Sequence, residues 1–136
     1  MILTSNGTRE LSDALRRRCL YHHVDYPTLA REMAIVKAAV PEADTRLVEE
    51  AVQFVQRLRA QDLSKTPGIA ETLDWVRALC ALGLKDLPTE PDALRACLAA
   101  LLKTRADQWQ MGAEVIARLQ GEARVGVDVG VAGAMR

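Results

Sequence analysis

The stretch DTRLVEEAVQFVQRLRA, residues 44–60, limits the fold more than any other part of the chain. Leu47, Ala51, Phe54, Val55 and Leu58 recur there at the helical period, with charged and amide side chains between them. A helix cannot bury its own apolar stripe, so this one demands neighbours with matching faces. The rest of the sequence supplies them. Residues from about Thr28 to Ala39 place Leu29, Met33 and Val36 on one side, with Val40 following, and Pro41 ends the run. From Ile69 to about Leu82 the spacing puts Ile69, Leu73, Val76 and Cys80 on one face, and Gly83 is placed to stop the helix. A fourth helix carries Leu94, Leu98, Leu101 and Leu102, with Thr89 and Asp92 spaced as a capping pair before it. A weaker helical pattern runs from about Asp107 to Leu119. The breaker segments DLSKTPG and DLPTEPD separate these helices. Hydrophobic residues make up 49% of the chain and aromatics only 4%, so the core must be Leu, Val and Ala, which suits helices. The predicted fold is mainly α.

The first 26 residues have a different character. Met1–Thr4 reads as the end of an apolar strand, followed by an Asn6-Gly7 turn. Ser12-Asp13 opens a short helix to about Arg18. Leu20–Val24 reads as a second strand, stopped by Asp25-Tyr26-Pro27. Two strands are marginal without more sheet. The expected organisation is a sheet remnant over 1–26, a helical unit over 27–120 and a flexible tail over 121–136, where RVGVDVGVAGAMR alternates Val with costly Gly.

Charge and cysteine usage exclude several classes. Lys plus Arg equals Asp plus Glu, at 18 each, so no net field draws the chain to nucleic acid or an anionic membrane. Cys19, Cys80 and Cys97 are too few and too widely spaced for a disulfide framework or a zinc site. No apolar run approaches the ~20 residues of a membrane span, and no signal peptide is visible, which leads to a cytoplasmic expectation with reduced thiols.

Few residues are placed for chemistry. Asn6, just after a strand, could orient water or touch a phosphate oxygen, although Asn before Gly also makes an ordinary turn. Arg16, Arg17 and Arg18 end the short helix, where they suit the dipole or could reach a phosphate on a neighbouring molecule. His22 and His23, adjacent on a strand, point to opposite faces and do not chelate one metal. Trp75 and Trp109 read as core or groove packing. Asp62, Glu71, Asp74 and Asp86 show no acid–base pairing pattern.

The order of these segments resembles the C-terminal half of an AAA+ ATPase, most closely the MoxR-like group with its CoxD-type accessory ATPases of molybdenum hydroxylase maturation. ILTSN looks like the sensor-1 strand with Asn6 as the sensor, and LSDALRRRC is similar to the arginine-finger segment. Within it Arg18, before Cys19, best matches the finger, and Arg17 is the second choice. KTPGIAETLDWVRAL resembles the lid helix that bears sensor 2, and its DWVRAL points to the CoxD-like branch. The sensor-2 arginine of many relatives is replaced by Glu71 at the aligned position, so no such residue is carried over. The resemblance spans residues 1 to about 110. It implies a helical AAA+ lid preceded by a two-strand remnant of the α/β core, and a full-length protein that binds ATP with Mg²⁺ in a homo-oligomeric ring. That ring would remodel a client or insert a metal cofactor, with a von Willebrand factor A-type protein as partner. The 136 residues contain no GxxxxGK[ST] and no hydrophobic run ending in Asp-Glu. The resemblance places Walker A and Walker B before Met1, so this chain alone is expected to be inactive. Two other readings compete. One is a free-standing helical protein-interaction module. The other, helix-turn-helix DNA binding through Arg16–Arg18, lacks a supporting positive field.

Overall fold

The computed structural model describes residues 1–5 and 10–121. Asn6 and the Val/Gly-rich segment from 122 onward lie outside the described residues. Seven α-helices are seen among those described: α1 (Asp13–Arg18), α2 (Leu29–Ala39), α3 (Thr45–Arg59), α4 (Ile69–Ala81), α5 (Pro91–Cys97), α6 (Arg105–Gln110) and α7 over 113–121.

Helices α2, α3 and α4 pack on one another. Side-chain oxygens start two of them: the Thr28 hydroxyl accepts from the Arg31 N–H at 3.3 Å, and the Asp44 carboxylate from the Arg46 N–H at 2.9 Å. The stripe of α3 is buried as its period requires, with Leu47, Ala51, Phe54, Val55 and Leu58 joined by Val48 and Val52. Val36 and Val40 meet it from α2, and Trp75 from α4 lies against Phe54 with ring centroids 5.7 Å apart.

Helix α4 is rotated from the expected face. Thr72, Trp75, Val76 and Leu79 are buried, whereas Ile69, Leu73 and Cys80 are half-buried. The helix carries apolar side chains around most of its circumference, so periodicity alone does not select a side. Its end matches expectation. Gly83 adopts φ +74°, its N–H donates to the Cys80 carbonyl, and the Leu84 N–H reaches back to the Leu79 carbonyl at 3.2 Å.

Leu94, Leu98, Leu101 and Leu102 close the far end of the core with Met111, Ile116 and Leu119. The expected Thr89–Asp92 cap is not made. Glu90 holds the N-cap position without a side-chain bond, because Pro91 at N1 presets the helical φ and has no N–H to satisfy. The single helix expected over Asp107–Leu119 is two, α6 and α7, separated at Met111-Gly112.

No strand forms among the described residues. Both expected strands, Met1–Thr4 and Leu20–Val24, are non-helical and exposed. A strand exists only with a ladder partner, and no backbone group of residues 20–26 is hydrogen-bonded among the described residues. Helix α1 buries no residue. Ten of the twelve exposed large apolar side chains among the described residues fall in the first 29, which locates the unpartnered apolar surface in this N-terminal arm.

Candidate functional site

Ser12 starts α1 by accepting the Leu15 N–H at 3.4 Å, and Cys19 turns the chain into extended conformation at its end. The last turn therefore presents Arg16, Arg17 and Arg18 together, all exposed. Among the described residues none of the three guanidinium groups makes an ion pair. Their charge is thus open to a group outside the described residues. Exposed Cys19 follows them directly.

Beyond Cys19 the arm is extended, and its side chains alternate. The Tyr21 hydroxyl lies 3.4 Å from His23 Nδ1, and His23 Nε2 lies 3.0 Å from an Asp25 carboxylate oxygen. Residues 21, 23 and 25 thus share one side, the opposite side from Leu20, His22 and Val24. His22 takes no part in these contacts. Among the described residues no three His, Cys, Asp or Glu side chains gather as a metal site.

Three of the four acidic residues weighed from the sequence make side-chain contacts within the fold, and at Asp62 the backbone carbonyl accepts from the Gln110 side chain at 3.0 Å. Glu71 accepts the Gly68 N–H at 3.0 Å, Asp74 lies 3.4 Å from Arg77, and Asp86 lies 3.9 Å from Arg46. Burial pushes the Cys80 thiol upward, with Glu42 adding to the shift, which disfavours a reactive thiolate.

Two buried polar clusters have no counterpart in the sequence analysis. In the first, Glu32 of α2 is fully buried against Arg59 of α3, with paired contacts of 2.7 Å. Gln56 donates to the same carboxylate at 2.7 Å and Thr72 Oγ1 lies 3.0 Å from it. Arg59 also donates to the Pro67 carbonyl at 2.8 Å and stacks 4.6 Å from the Tyr26 ring centroid. This cluster fastens the end of the arm, α2, α3 and the loop before α4 at one point. In the second, buried Asp107 accepts from the Thr104 hydroxyl at 2.6 Å and from the Ser64 and Lys65 backbone N–H groups at 2.7 and 3.1 Å. Burial alone would raise its carboxyl, but these hydrogen bonds outweigh that and hold it below the usual carboxylate range. The partners 24 to 43 residues apart leave no local pattern to read, whereas the Thr104–Asp107 pair, three residues apart, is a helix-capping spacing that the sequence does carry.

A cleft of about 170 Å³ lies where α5 and the following turn meet α6, lined by Arg95, Leu98, Leu102, Gln108, Trp109 and Met111. Trp75 is core, as anticipated, whereas Trp109 is 77% exposed at this cleft. Small-molecule sites usually enclose about 300–1,000 Å³. The cleft is smaller, mixes polar and apolar lining and has one cationic lining residue, so it does not fit a nucleotide triphosphate with Mg²⁺.

No helix among the described residues is long and apolar enough to cross a membrane. No protein-family model, curated protein or solved structure matches the chain.

Proposed function

We propose that the chain is the sensor-1, arginine-finger and lid portion of a MoxR/CoxD-like AAA+ ATPase acting as a ring, in which Arg18 serves a neighbouring subunit. The observation that supports this most is the placement of Arg16–Arg18: three exposed guanidinium groups on a short helix that contributes nothing to the core. A residue that works across a subunit boundary must stand clear of its own domain and be uncommitted within it. A guanidinium suits a phosphoryl target because it is permanently charged and forked. Arg18 leads and Arg17 follows. Asn6 retains the sensor-1 role on sequence grounds. In this reading the phosphate cradle and metal-binding acids belong to sequence outside these 136 residues, and client remodelling or metal-cofactor insertion belongs to the whole ring.

The test uses the ring-forming protein that carries an upstream Walker A. Arg18→Ala subunits are mixed with subunits whose Walker A is dead. Each mutant alone should be inactive, and mixed rings should regain part of the ATPase rate, because some interfaces then combine an intact cradle with an intact finger. Arg18→Lys should rescue poorly. No recovery in rings shown to be mixed removes Arg18 from this role. Mg²⁺-dependent hydrolysis by the purified 136-residue chain overturns the whole reading.

The second reading, a helical protein-interaction module without enzymatic activity, is favoured by Trp109. A large aromatic 77% exposed beside a shallow cleft of mixed polarity is a common anchor for a protein partner. Trp109→Ala should leave ring ATPase activity unchanged under the first reading and abolish partner capture under the second.

A further inference from the structure

We propose that the arm segment Leu20–Val24 pairs antiparallel with the same segment of a second copy, forming a two-fold dimer of the chain. The segment is already shaped as a strand. The Tyr21–His23–Asp25 contacts line one side at two-residue spacing, and on the other side Leu20 is fully exposed and Val24 is 80% exposed. No backbone group of residues 20–26 is hydrogen-bonded among the described residues, so both edges of the segment are open.

The second copy is the occupant because the segment complements itself. Antiparallel pairing centred on His22 sets Leu20 opposite Val24 of the second copy and Val24 opposite Leu20, two apolar cross-strand pairs. On the other side Tyr21 faces His23 of the second copy, and the reverse. Charge agrees with the pattern. The segment is preceded by Arg16–Arg18 and followed by Asp25, so antiparallel pairing sets Cys19 of one copy opposite Asp25 of the other and brings the basic end of each segment near the acidic end of its partner. Parallel pairing would instead stack the arginines on one another. The resulting interface is isologous, as closed dimers require.

A two-stranded ribbon is marginal on its own, so the association is weak and concentration-dependent. It does not rest on the ATPase reading: that reading depends on Arg18 meeting a phosphate, this one on Leu20 and Val24 meeting each other. A ring whose own sheet covers residues 20–24 would hide the pairing, so the experiment uses the 136-residue chain by itself.

Sedimentation velocity from about 10 µM to about 1 mM, the range of weak association, should show a monomer converting to a dimer. Val24→Lys should weaken dimerisation at least about ten-fold by placing a charge against Leu20 of the second copy. Its helical circular dichroism should be unchanged, since Val24 lies outside the core. Register is read by cross-linking in a Cys19→Ser background. His22→Cys faces itself across the axis, with a Cα separation of about 4.5–5.5 Å that suits a disulfide, whereas His23→Cys faces Tyr21. The His22→Cys dimer should therefore form faster. A chain monomeric throughout the range overturns the proposal. So does a dimer insensitive to Val24→Lys, which would locate the contact elsewhere, for example at Trp109. Equal cross-linking at both positions also overturns it.

Discussion

Both carboxylate oxygens of Glu32 receive guanidinium nitrogens of Arg59 at 2.7 Å, at a point where the Glu32 side chain is fully buried and that of Arg59 nearly so. Two charges removed from water in this way are tolerated only because each is saturated. Gln56 and Thr72 complete the carboxylate, and the Pro67 carbonyl and Tyr26 ring complete the guanidinium.

Removing one member should therefore cost far more than removing both. Glu32→Gln leaves a buried cation without its counter-charge and should destabilise the bundle by about 3–5 kcal/mol. The double replacement Glu32→Leu with Arg59→Met should be less damaging than either single change, because an apolar pair leaves no charge stranded. Urea unfolding of the single and double variants checks the ordering.

Asp107 gives a pH dependence of known sign. Its folded-state carboxyl is held below the ordinary value of about 3.9. Its contribution is therefore fully present above that value and is lost as pH falls through the lower folded-state value. Asp107→Asn should cost about 1–3 kcal/mol near neutrality, since an amide cannot accept all three hydrogen bonds. The gap between wild type and variant should narrow on acidification below about pH 4. A gap that is constant from pH 7 to pH 2 would show that the carboxylate form does not matter.

Side-chain truncation separates the true core from its margin. Phe54→Ala removes a buried ring against Trp75 and should cost about 3–5 kcal/mol. Leu73, half-buried rather than central, should lose roughly 1–2 kcal/mol on replacement by Ala, because less apolar area leaves water. Equal losses at the two positions would contradict the observed rotation of α4.

Deleting residues 1–25 should leave the thermal midpoint of the helical unit almost unchanged. Helix α1 buries nothing, and the fastening of the arm begins at Tyr26 and Pro27. Differential scanning calorimetry of a chain beginning at Tyr26 should give a cooperative melt. Starting at Leu29 instead should lower the midpoint, since it removes the Tyr26 stack, the Pro27 carbonyl that Gln56 holds and the Thr28 cap.

The parts of this fold that were legible in the sequence are those governed by short spacing. The α3 stripe, the starts of α2 and α3 near Thr28 and Asp44 and the Gly83 stop each depend on residues within a turn or two of one another. What was not legible depends on distant partners. Arg59 looks like a basic residue suited to the end of α3, and nothing within a turn of it announces Glu32, 27 residues away. Thr72 looks polar and therefore outward, yet it is buried because Glu32 needs its hydroxyl. Leu20–Val24 reads as a strand, but a ladder requires an edge that the described helical unit does not offer. Of the candidate site, the exposure of Arg17 and Arg18 follows from a short helix with too few apolar residues to dock. The cleft beside Trp109 had no local signal, because it is built from residues on three successive segments.

The Asp107 carboxylate grips the loop at Ser64 and Lys65 by main-chain N–H groups, with the Ser64 hydroxyl as a further favourable partner and the Lys65 side chain left exposed. Every amino acid except proline offers that N–H. Related chains can therefore vary freely at position 65, and at 64 with the loss of the hydroxyl contact alone, while keeping the loop path, provided an acid remains at 107. The constraint on drift falls on the helix that reads the loop, with proline at 64 or 65 as the one replacement that the arrangement forbids.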